Sequence, residues 1–240
     1  MTVNLGNFFF RYRNTIGPVV FLLAIAAGTP SYPLNRPDLN LILDAVGIVV
    51  ALLGQILRIL TIGYDYIERG GRNRRVYASK LVQGGVFAHC RNPLYLGNIL
   101  LALGIALVIH SLVFYLTVLP LVALAYISIV SSEERFLREK FGEEYVQYCK
   151  RVNRWIPRWK GWTASIAHMA FNWRRVLVKE YNTLFVAALA MVAVKIWSDY
   201  QVQGAAALPS RSALSLAFAL WLSFYIIVRS LKKSGWIQPE

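Results

Sequence analysis

The sequence predicts an all-α, polytopic membrane protein with about six transmembrane helices and an amphipathic segment on the cytoplasmic side. Of its 240 residues, 57% are hydrophobic and only 16% are charged, and the mean hydropathy is +0.46. This composition is too apolar for a soluble domain of this length. Several apolar runs approach the roughly 20 residues that a helix needs to cross a bilayer. We therefore expect an integral membrane protein.

The basic charge of the chain is better explained by a membrane than by nucleic acid. A net charge of +14 would suggest a nucleic-acid partner in a soluble protein. However, no nucleic-acid recognition motif accompanies it, and lysine and arginine also accumulate in cytoplasmic loops and near anionic headgroups. We expect membrane lipids, and no nucleic acid, as partners. The two cysteines and three histidines have neither disulfide nor metal-site spacing, so no metal is expected.

Six apolar stretches are candidate spans, and in chain order they are residues 16–28, 39–62, 93–109, 112–130, 181–197 and 213–228. The first is short, and a secretory signal with Arg11 and Arg13 as its basic region is the alternative to a retained span. The second contains Asp44 and Arg58. Ionisable residues within spans are functional candidates, but both can also snorkel to the interfaces, which is the interpretation that we prefer for Asp44.

The third and fourth spans are predicted to form an antiparallel hairpin. Only His110 and Ser111 separate them, which allows a tight reversal. The hairpin returns the end of the fourth span to the side of the membrane where the third span begins. Glu133 and Glu134, which follow the fourth span, are therefore expected to lie near Arg91.

Polar residues gather where the third span begins. His89 and Arg91 stand just before Pro93, which suits the first turn of a helix because the N–H that it lacks would have no partner there. Tyr95 and Gly97 lie one turn inside the span, and Gly97 leaves room for another backbone or a ligand. We interpret this segment as half of a binding site at the membrane–water boundary.

An apolar stripe at helical period follows the acidic pair. Its members are Leu137, Phe141, Tyr145, Tyr148 and Val152. Gly142 is expected to break the helix into two pieces. The segment is predicted to lie along the membrane surface or to fold over the site, and a plain interfacial anchor would explain the stripe equally well.

The distribution of basic residues predicts the orientation. With the N-terminus in the cytoplasm, 22 of the 26 lysine and arginine residues fall in the inside segments 1–15, 63–92, 131–180 and 229–240. This asymmetry favours six spans with both termini and the candidate site facing the cytoplasm. In a bacterium, the membrane would be the inner or plasma membrane.

Four segments resemble, in order, the isoprenylcysteine carboxyl methyltransferase and phospholipid methyltransferase family. Residues 91–97, Arg-Asn-Pro-Leu-Tyr-Leu-Gly, correspond to the family's Arg-His-Pro-x-Tyr-x-Gly, and Glu133-Glu134 to its Glu-Glu. Residues 141–148 follow its Phe-Gly-x-x-Tyr-x-x-Tyr, and residues 152–154, Val-Asn-Arg, resemble its Val-Pro-Arg ending. The resemblance covers roughly residues 80–158. It predicts a methyltransferase core in residues 1–160 and a C-terminal extension with two further spans in residues 161–240.

The resemblance implies an integral membrane enzyme that methylates a lipophilic acceptor with S-adenosylmethionine from the cytosol. The implied catalytic residues are Arg91, Glu133, Glu134 and Arg154. The implied cofactor-binding residues are His89, Arg91, Asn92, Pro93, Tyr95, Gly97, Glu134 and Tyr148. Arg91 would hold the cofactor carboxylate and a glutamate its ammonium. Arg154 or Arg58 would aim an anionic acceptor, whereas an amine acceptor would need a glutamate as its base.

The sequence departs from the family pattern at Asn92, where histidine is usual. Asparagine cannot titrate, so proton transfer at this position is in doubt, and His89 either compensates or is an ordinary interfacial histidine. A non-catalytic lipid-binding or scaffold protein is therefore the alternative function. In it, Arg91 and Glu133 would form only a structural ion pair. A small transporter is less favoured, because most buried polar residues lie at one membrane face. A carboxylate, phosphate, amine or hydroxyl acceptor and any oligomeric state remain open.

Overall fold

The computed structural model describes residues 2–31, 36–66, 77–207 and 211–238, and these residues form a helical bundle. Its helices are α1 (Thr2–Ala27), α2 (Pro37–Tyr64), α3 (Pro93–Ile109), α4 (Leu112–Arg151), α5 (Trp162–Ile166), α6 (Trp173–Gln203) and α7 (Arg211–Lys233). Short 3₁₀ helices lie at Gly85–Ala88 and Ala205–Ala207. The predicted all-α fold is confirmed. The basic residues Arg69, Arg72, Arg74 and Arg75 lie outside the described residues.

Five of the six predicted spans fall within a helix, and the first, residues 16–28, extends one residue beyond α1. By length and composition, α2, α4, α6 and α7 are able to cross a membrane, whereas Thr15–Ala27 in α1 and Pro93–Ile109 are shorter apolar stretches. The polytopic helical character is thus confirmed for the described part of the chain. The number of crossings and their direction stay predictions.

Helices α2 and α3 pack along a seam of paired glycines. A Cβ on Gly47 would lie 2.7 Å from the carbonyl oxygen of Gly104, and a Cβ on Gly54 would lie 2.7 Å from that of Gly97. Neither distance leaves room for a side chain. Gly97 therefore provides close approach, as predicted, and the groups that approach it are the side chain of Arg58 and the backbone of Gly54, both on α2. Ala51 belongs to the same seam, since a Cβ on Gly104 would lie 2.7 Å from its Cβ.

Helix α1 lies along α4 over most of its length. Near its start, Phe9 and Phe10 pack against Ile129, and near its end Ala24 packs in a buried cluster with Phe114. Burial of such side chains is the main favourable term in helix association outside the bilayer, and close packing has the same role within it. Whether the first apolar stretch is a retained span or a removable signal stays a prediction.

The hairpin between α3 and α4 forms as predicted, and a buried polar cluster stabilises its turn. His110 reverses the chain in a left-handed conformation, with φ 53° and ψ 35°. Its Nε2 lies 2.8 Å from Oδ1 of Asp44, and Nζ of Lys195 lies 3.1 Å from the other carboxylate oxygen. The interpretation that Asp44 snorkels to an interface is therefore wrong. Its carboxylate is buried because α6 and the hairpin supply partners for it.

Helix α4 changes direction at Gly142, which confirms the predicted break. Gly142 has φ 53° and ψ −125°, which only glycine adopts without strain. Beyond it, Tyr145, Tyr148 and Val152 form a buried cluster with Leu81 and their neighbours. The predicted apolar stripe thus folds back onto the protein and covers the region where α3 begins.

Candidate active site

A cavity of about 570 Å³ lies where α3 begins. Its walls come from α2, the segment 77–82, the N-terminal halves of α3 and α6, and both parts of α4 around the Gly142 kink. Those predicted site residues that line it are Arg91, Asn92, Pro93, Tyr95, Glu133, Glu134 and Tyr148. The volume falls within the range of about 300–1,000 Å³ that is typical of small-molecule sites.

Glu134 lies at the centre of the polar wall. One of its carboxylate oxygens lies 3.4 Å from Nε of Arg91, and the other lies 3.2 Å from Nε of Arg154. The amide of Asn92 donates to Glu134 at 3.1 Å. The predicted convergence of residue 91 with the acidic pair is therefore observed, and the hairpin is the element that produces it.

Glu133 faces the other part of the same wall. The hydroxyl of Tyr95 donates to its carboxylate at 2.6 Å, and the ring of Tyr95 lies 5.4 Å from that of Tyr126. Two adjacent residues of α4 thus place their carboxylates on different parts of the wall. Glu134 lies beside Arg91 and Arg154, and Glu133 lies beside Tyr95.

The segment after α4 pairs with the segment before α3. The N–H of Arg91 donates to the carbonyl of Asn153 at 2.9 Å, and the hydroxyl of Tyr148 donates to the carbonyl of Phe87 at 2.7 Å. Cys90 is enclosed between these segments, and burial raises the pKa of its thiol to about 11. This pairing holds the backbone on both sides of Arg91.

The wall formed by α2 and α6 contains a buried ion pair. Arg58 and Glu180 are 4% and 1% exposed, with Nε of Arg58 2.5 Å from one oxygen of Glu180 and Nη2 2.9 Å from the other. The same guanidinium donates to the carbonyl of Leu94 at 3.2 Å and to the side chain of Asn98. Arg58 is therefore neutralised and fixed against α3, which differs from the predicted role of aiming an acceptor.

Sequence reasoning missed the contribution of α6 to this cavity. Glu180 immediately precedes the predicted fifth span, and Lys179 and Thr183 also line or flank the same wall. The only available signal was an acidic residue at a span boundary, which has no fixed relation in sequence to Arg58. The pairing depends on tertiary packing alone.

Three predicted site residues lie away from the cavity lining. The ring of His89 lies 2.5 Å from the carbonyl of Arg158 and 2.9 Å from the hydroxyl of Ser165, so it contacts the loop after α4 and helix α5. Gly97 packs on α2, and Arg154 reaches the site only through Glu134. His89 and Gly97 thus contact protein atoms and not the cavity.

Comparison with known proteins agrees with the motifs at this cavity. The model of the phospholipid methyltransferase family matches residues 42–144, which include the Arg91–Gly97 segment and both glutamates. Protein-S-isoprenylcysteine O-methyltransferase B of Arabidopsis thaliana is 29% identical over 114 residues, and the enzyme of Rattus norvegicus is 31% identical over 134 residues. The chain is thus similar to members of this methyltransferase family over part of its length.

These relatives differ in how much of the chain they share. The two isoprenylcysteine methyltransferases cover 46% and 52% of the chain, which spans 57% and 45% of their own lengths. The cobalt-zinc-cadmium resistance protein CzcN of Cupriavidus metallidurans is 29% identical over 183 residues, 70% of this chain and 77% of that protein. No solved structure matches the chain.

The polar wall is suited to the zwitterionic end of S-adenosylmethionine, the methyl donor that the family implies. Arg91 and Glu134 present opposite charges on one side of the cavity, at 13% and 14% exposure. The Nε atoms of Arg91 and Arg154 are buried and lack a well-aligned hydrogen bond within the described part of the chain. An amino acid carboxylate would accept from such N–H groups, and its ammonium would donate to the carboxylate of Glu134.

Proposed function

We propose that the protein is an integral membrane methyltransferase that transfers a methyl group from S-adenosylmethionine to a lipophilic acceptor at the cytoplasmic face. The observation that carries this proposal is the juxtaposition of Arg91 and Glu134 on the wall of a cavity that opens at the start of α3. The cavity combines these charges with aromatic and aliphatic walls, as a site for a polar donor and an apolar acceptor requires.

Arg91 and Glu134 are proposed to hold the amino acid end of the methyl donor. Arg91 binds the carboxylate, and Glu134 accepts from the ammonium while Asn92 and Arg154 keep its carboxylate in place. Tyr148 is proposed to form the cavity wall beside the adenosine, and its hydrogen bond to the carbonyl of Phe87 holds its ring in place. When bound, the donor supplies an electrophilic methyl group on a sulfonium.

The protein itself contributes position and exclusion of water. Direct methyl transfer needs the acceptor in line with the methyl group more than it needs covalent chemistry from side chains. Pro93, Tyr95 and Tyr126 line the passage beside the charged wall. Glu133 would serve as a proton acceptor only for an amine, and its carboxylate is already oriented by Tyr95.

The cytoplasmic location of the site is supported by the charge asymmetry of the loops. Single cysteines introduced at Lys160 and at Arg36, on opposite sides of the predicted topology, test it in a Cys90→Ala/Cys149→Ala background. In intact cells, we expect an impermeant maleimide to label position 36 and to spare position 160 until the cells are broken. The reverse pattern would overturn the orientation.

Arg91→Ala and Glu134→Gln are expected to abolish methylation of membrane lipids. Membranes that contain each variant are incubated with S-adenosylmethionine labelled on its methyl group, and the extracted lipids are identified by mass. The matched controls are Arg135→Ala and Glu139→Gln, which alter an exposed ion pair on α4. Full labelling by both site variants at wild-type membrane levels would contradict the assignment.

A non-catalytic scaffold is the second candidate, favoured by one observation. Arg91, Arg154 and Asn92 all converge on Glu134, as they also would in a purely structural ion-pair network. Isothermal titration of the purified protein with S-adenosylmethionine separates the two functions. An enzyme must bind S-adenosylmethionine at its cellular concentration, whereas a scaffold need not bind it.

A further inference from the structure

The segment between α4 and α6, residues 153–172, lies where α2 ends and where α3 and α6 begin. We call it the connecting segment, and it includes α5. Its backbone pairs with the residues before α3, since the N–H of Arg158 donates to the carbonyl of His89 at 3.1 Å. At its far end, the N–H of Asn172 donates to the carbonyl of Gly63, near the end of α2, at 2.9 Å. Because α2 and α6 are candidate membrane spans, the connecting segment lies close to the boundary between membrane and water.

The charges in this region have one sign. Residues 145–179, which include the connecting segment, contain eight lysine and arginine residues and no aspartate or glutamate. Within the segment, Lys160 is exposed. A cluster of about four to eight basic residues beside a membrane span is typical of proteins that bind anionic headgroups. The connecting segment therefore fits the negative surface of a membrane.

Large apolar side chains project from the same basic segment. Ile156 is 74% exposed and Trp159 is 78% exposed, and Trp173, which follows the segment, is 65% exposed. Tryptophan is enriched at the interface between membrane and water, because its ring is amphipathic. Surface segments bind anionic membranes by this combination of apolar area and basic charge. The exposed residues are thus suited to a lipid surface.

The connecting segment also holds the residues before α3 in place. The ring of His89 is buried and lies 2.5 Å from the carbonyl of Arg158 and 2.9 Å from the hydroxyl of Ser165. The centre of this ring lies 4.9 Å from that of Trp162. Arg91 follows two residues later, and its N–H donates to the same segment. His89 therefore joins the exposed surface of the segment to the residue that carries the guanidinium of the cavity wall.

We propose that the connecting segment is a docking surface for the headgroups of anionic phospholipids, and that His89 couples this docking to the position of Arg91. Ile156 and Trp159 enter the headgroup region, and Lys160 contacts the phosphates. The docked lipid is a regulator and not the methyl acceptor, because no residue of the segment lines the cavity. The link to the methyl donor rests on the proposed function, whereas lipid docking does not.

The coupling has a simple physical basis. A docked segment moves less, so the ring of His89 and the backbone of Arg91 are held in one arrangement. An arginine that is already ordered loses less conformational entropy when the donor binds. By thermodynamic linkage, the lipid and the donor then raise each other's affinity by the same factor.

Lipid docking is tested with the full-length protein in detergent, mixed with equal amounts of dioleoylphosphatidylglycerol and dioleoylphosphatidylcholine. Native mass spectrometry measures the ratio of the two lipids that the protein retains. The variants of the connecting segment are Lys160→Glu and Trp159→Ser. The matched controls are Lys233→Glu and Trp236→Ser, which are the same substitutions at exposed positions at the end of α7 and just after it.

We expect the wild-type protein to prefer phosphatidylglycerol, and the preference should decline as salt is added, because exposed charges are screened. Lys160→Glu should lower the preference about fivefold or more, since it removes a basic charge and adds an acidic one. Trp159→Ser should weaken retention of both lipids, and both controls should stay within about twofold of the wild type. Equal effects of Lys160→Glu and Lys233→Glu would overturn the inference and leave this surface to a protein partner.

The coupling is tested in nanodiscs of phosphatidylcholine alone or with about one third of phosphatidylglycerol. We expect the wild-type protein to bind S-adenosylmethionine about fivefold or more tightly with the anionic lipid present. His89→Phe keeps a ring beside Trp162 but loses both hydrogen bonds, and Ser165→Ala loses one of them. Both variants should retain phosphatidylglycerol as the wild type does, but should gain less affinity for the donor from it. A purely structural role of His89 would instead change the affinity equally in both membranes.

Equal affinity of the wild-type protein for S-adenosylmethionine in the two membranes, or an undiminished gain in His89→Phe and Ser165→Ala, would overturn the inference. Phosphatidylglycerol recovered after incubation with the donor should keep its mass, and an added methyl group would contradict its regulatory role. Failure of the proposed function gives a different result. The donor would then bind in neither membrane, while the preference for phosphatidylglycerol and its loss in Lys160→Glu would persist.

Discussion

At the scale of single residues, Asn92 shows how a departure from a family pattern is accommodated. Its amide donates one hydrogen bond to Glu134 at 3.1 Å and another to the carbonyl of Arg154 at 3.2 Å. A neutral histidine at the same place would have only one N–H to donate. Asn92 therefore orients the central carboxylate between α3 and the segment after α4. This role needs no titratable group, so the absence of the usual histidine does not argue against a functional site.

Cys90 yields a prediction about pH. Burial raises the pKa of its thiol to about 11, so at pH 8 the folded protein holds roughly a hundredfold fewer thiolates there than an unburied cysteine would. In a Cys149→Ala background, we expect slow alkylation by iodoacetamide in mild detergent, with a rate that increases as the pH rises toward 11. Mass spectrometry measures the rate. Denaturation should restore ordinary reactivity at pH 8, and rapid alkylation of the folded protein would contradict the enclosure of this thiol.

At the scale of secondary-structure elements, the glycine seam between α2 and α3 determines how closely the two helices approach. We expect Gly104→Ala to lower the free energy of unfolding by about 1–3 kcal/mol, because the new Cβ would lie 2.5 Å from the carbonyl oxygen of Gly47. Thermal unfolding in detergent measures the change. Gly17→Ala is the control, since a Cβ there has no described neighbour within 4 Å. Equal melting temperatures of the two variants would show that the seam is not tightly packed.

The kink in α4 is expected to control binding of the methyl donor. Gly142→Ala places a side chain at φ 53°, at a cost of about 1–2 kcal/mol, and favours a straight helix that withdraws Tyr145 and Tyr148 from the cavity. Gly161→Ala introduces a similar strain at φ 82°, and neither new Cβ meets a described atom within 4 Å. Titration with S-adenosylmethionine should show weaker binding for Gly142→Ala than for Gly161→Ala. Similar affinities would mean that the kink does not shape the donor site.

At the scale of the whole molecule, the Arg58–Glu180 pair joins the C-terminal extension to the core. We expect Arg58→Met and Glu180→Gln each to destabilise the protein by about 3–5 kcal/mol, because each removes one charge of a buried ion pair. The double variant should lose less than the sum of both. Denaturant titrations supply this double-mutant cycle. The exposed pair Arg135–Glu139 is the control, for which a coupling of about 0–1 kcal/mol is typical.

The sequence was sufficient for those features that depend on local pattern. Apolar run length predicted the helices, Pro93 marked the start of α3, and Gly142 marked the break in α4. The two residues between α3 and α4 required a hairpin, so the meeting of Arg91 with Glu134 also followed from connectivity. Short-range constraints of this kind survive folding because few competing arrangements satisfy them.

Only the tertiary structure decided which of the remaining polar residues share a site. His89 and Gly97 belong to the segment where α3 begins, but they contact other parts of the protein and not the cavity. Lys179 and Thr183 come from α6, beyond the motifs, and line the cavity. The reason is that a buried charge must find a partner wherever packing brings one within reach. Arg58 pairs with Glu180 and Asp44 pairs with Lys195, and both partners lie on α6. Separation along the sequence does not predict which charged residues come this close.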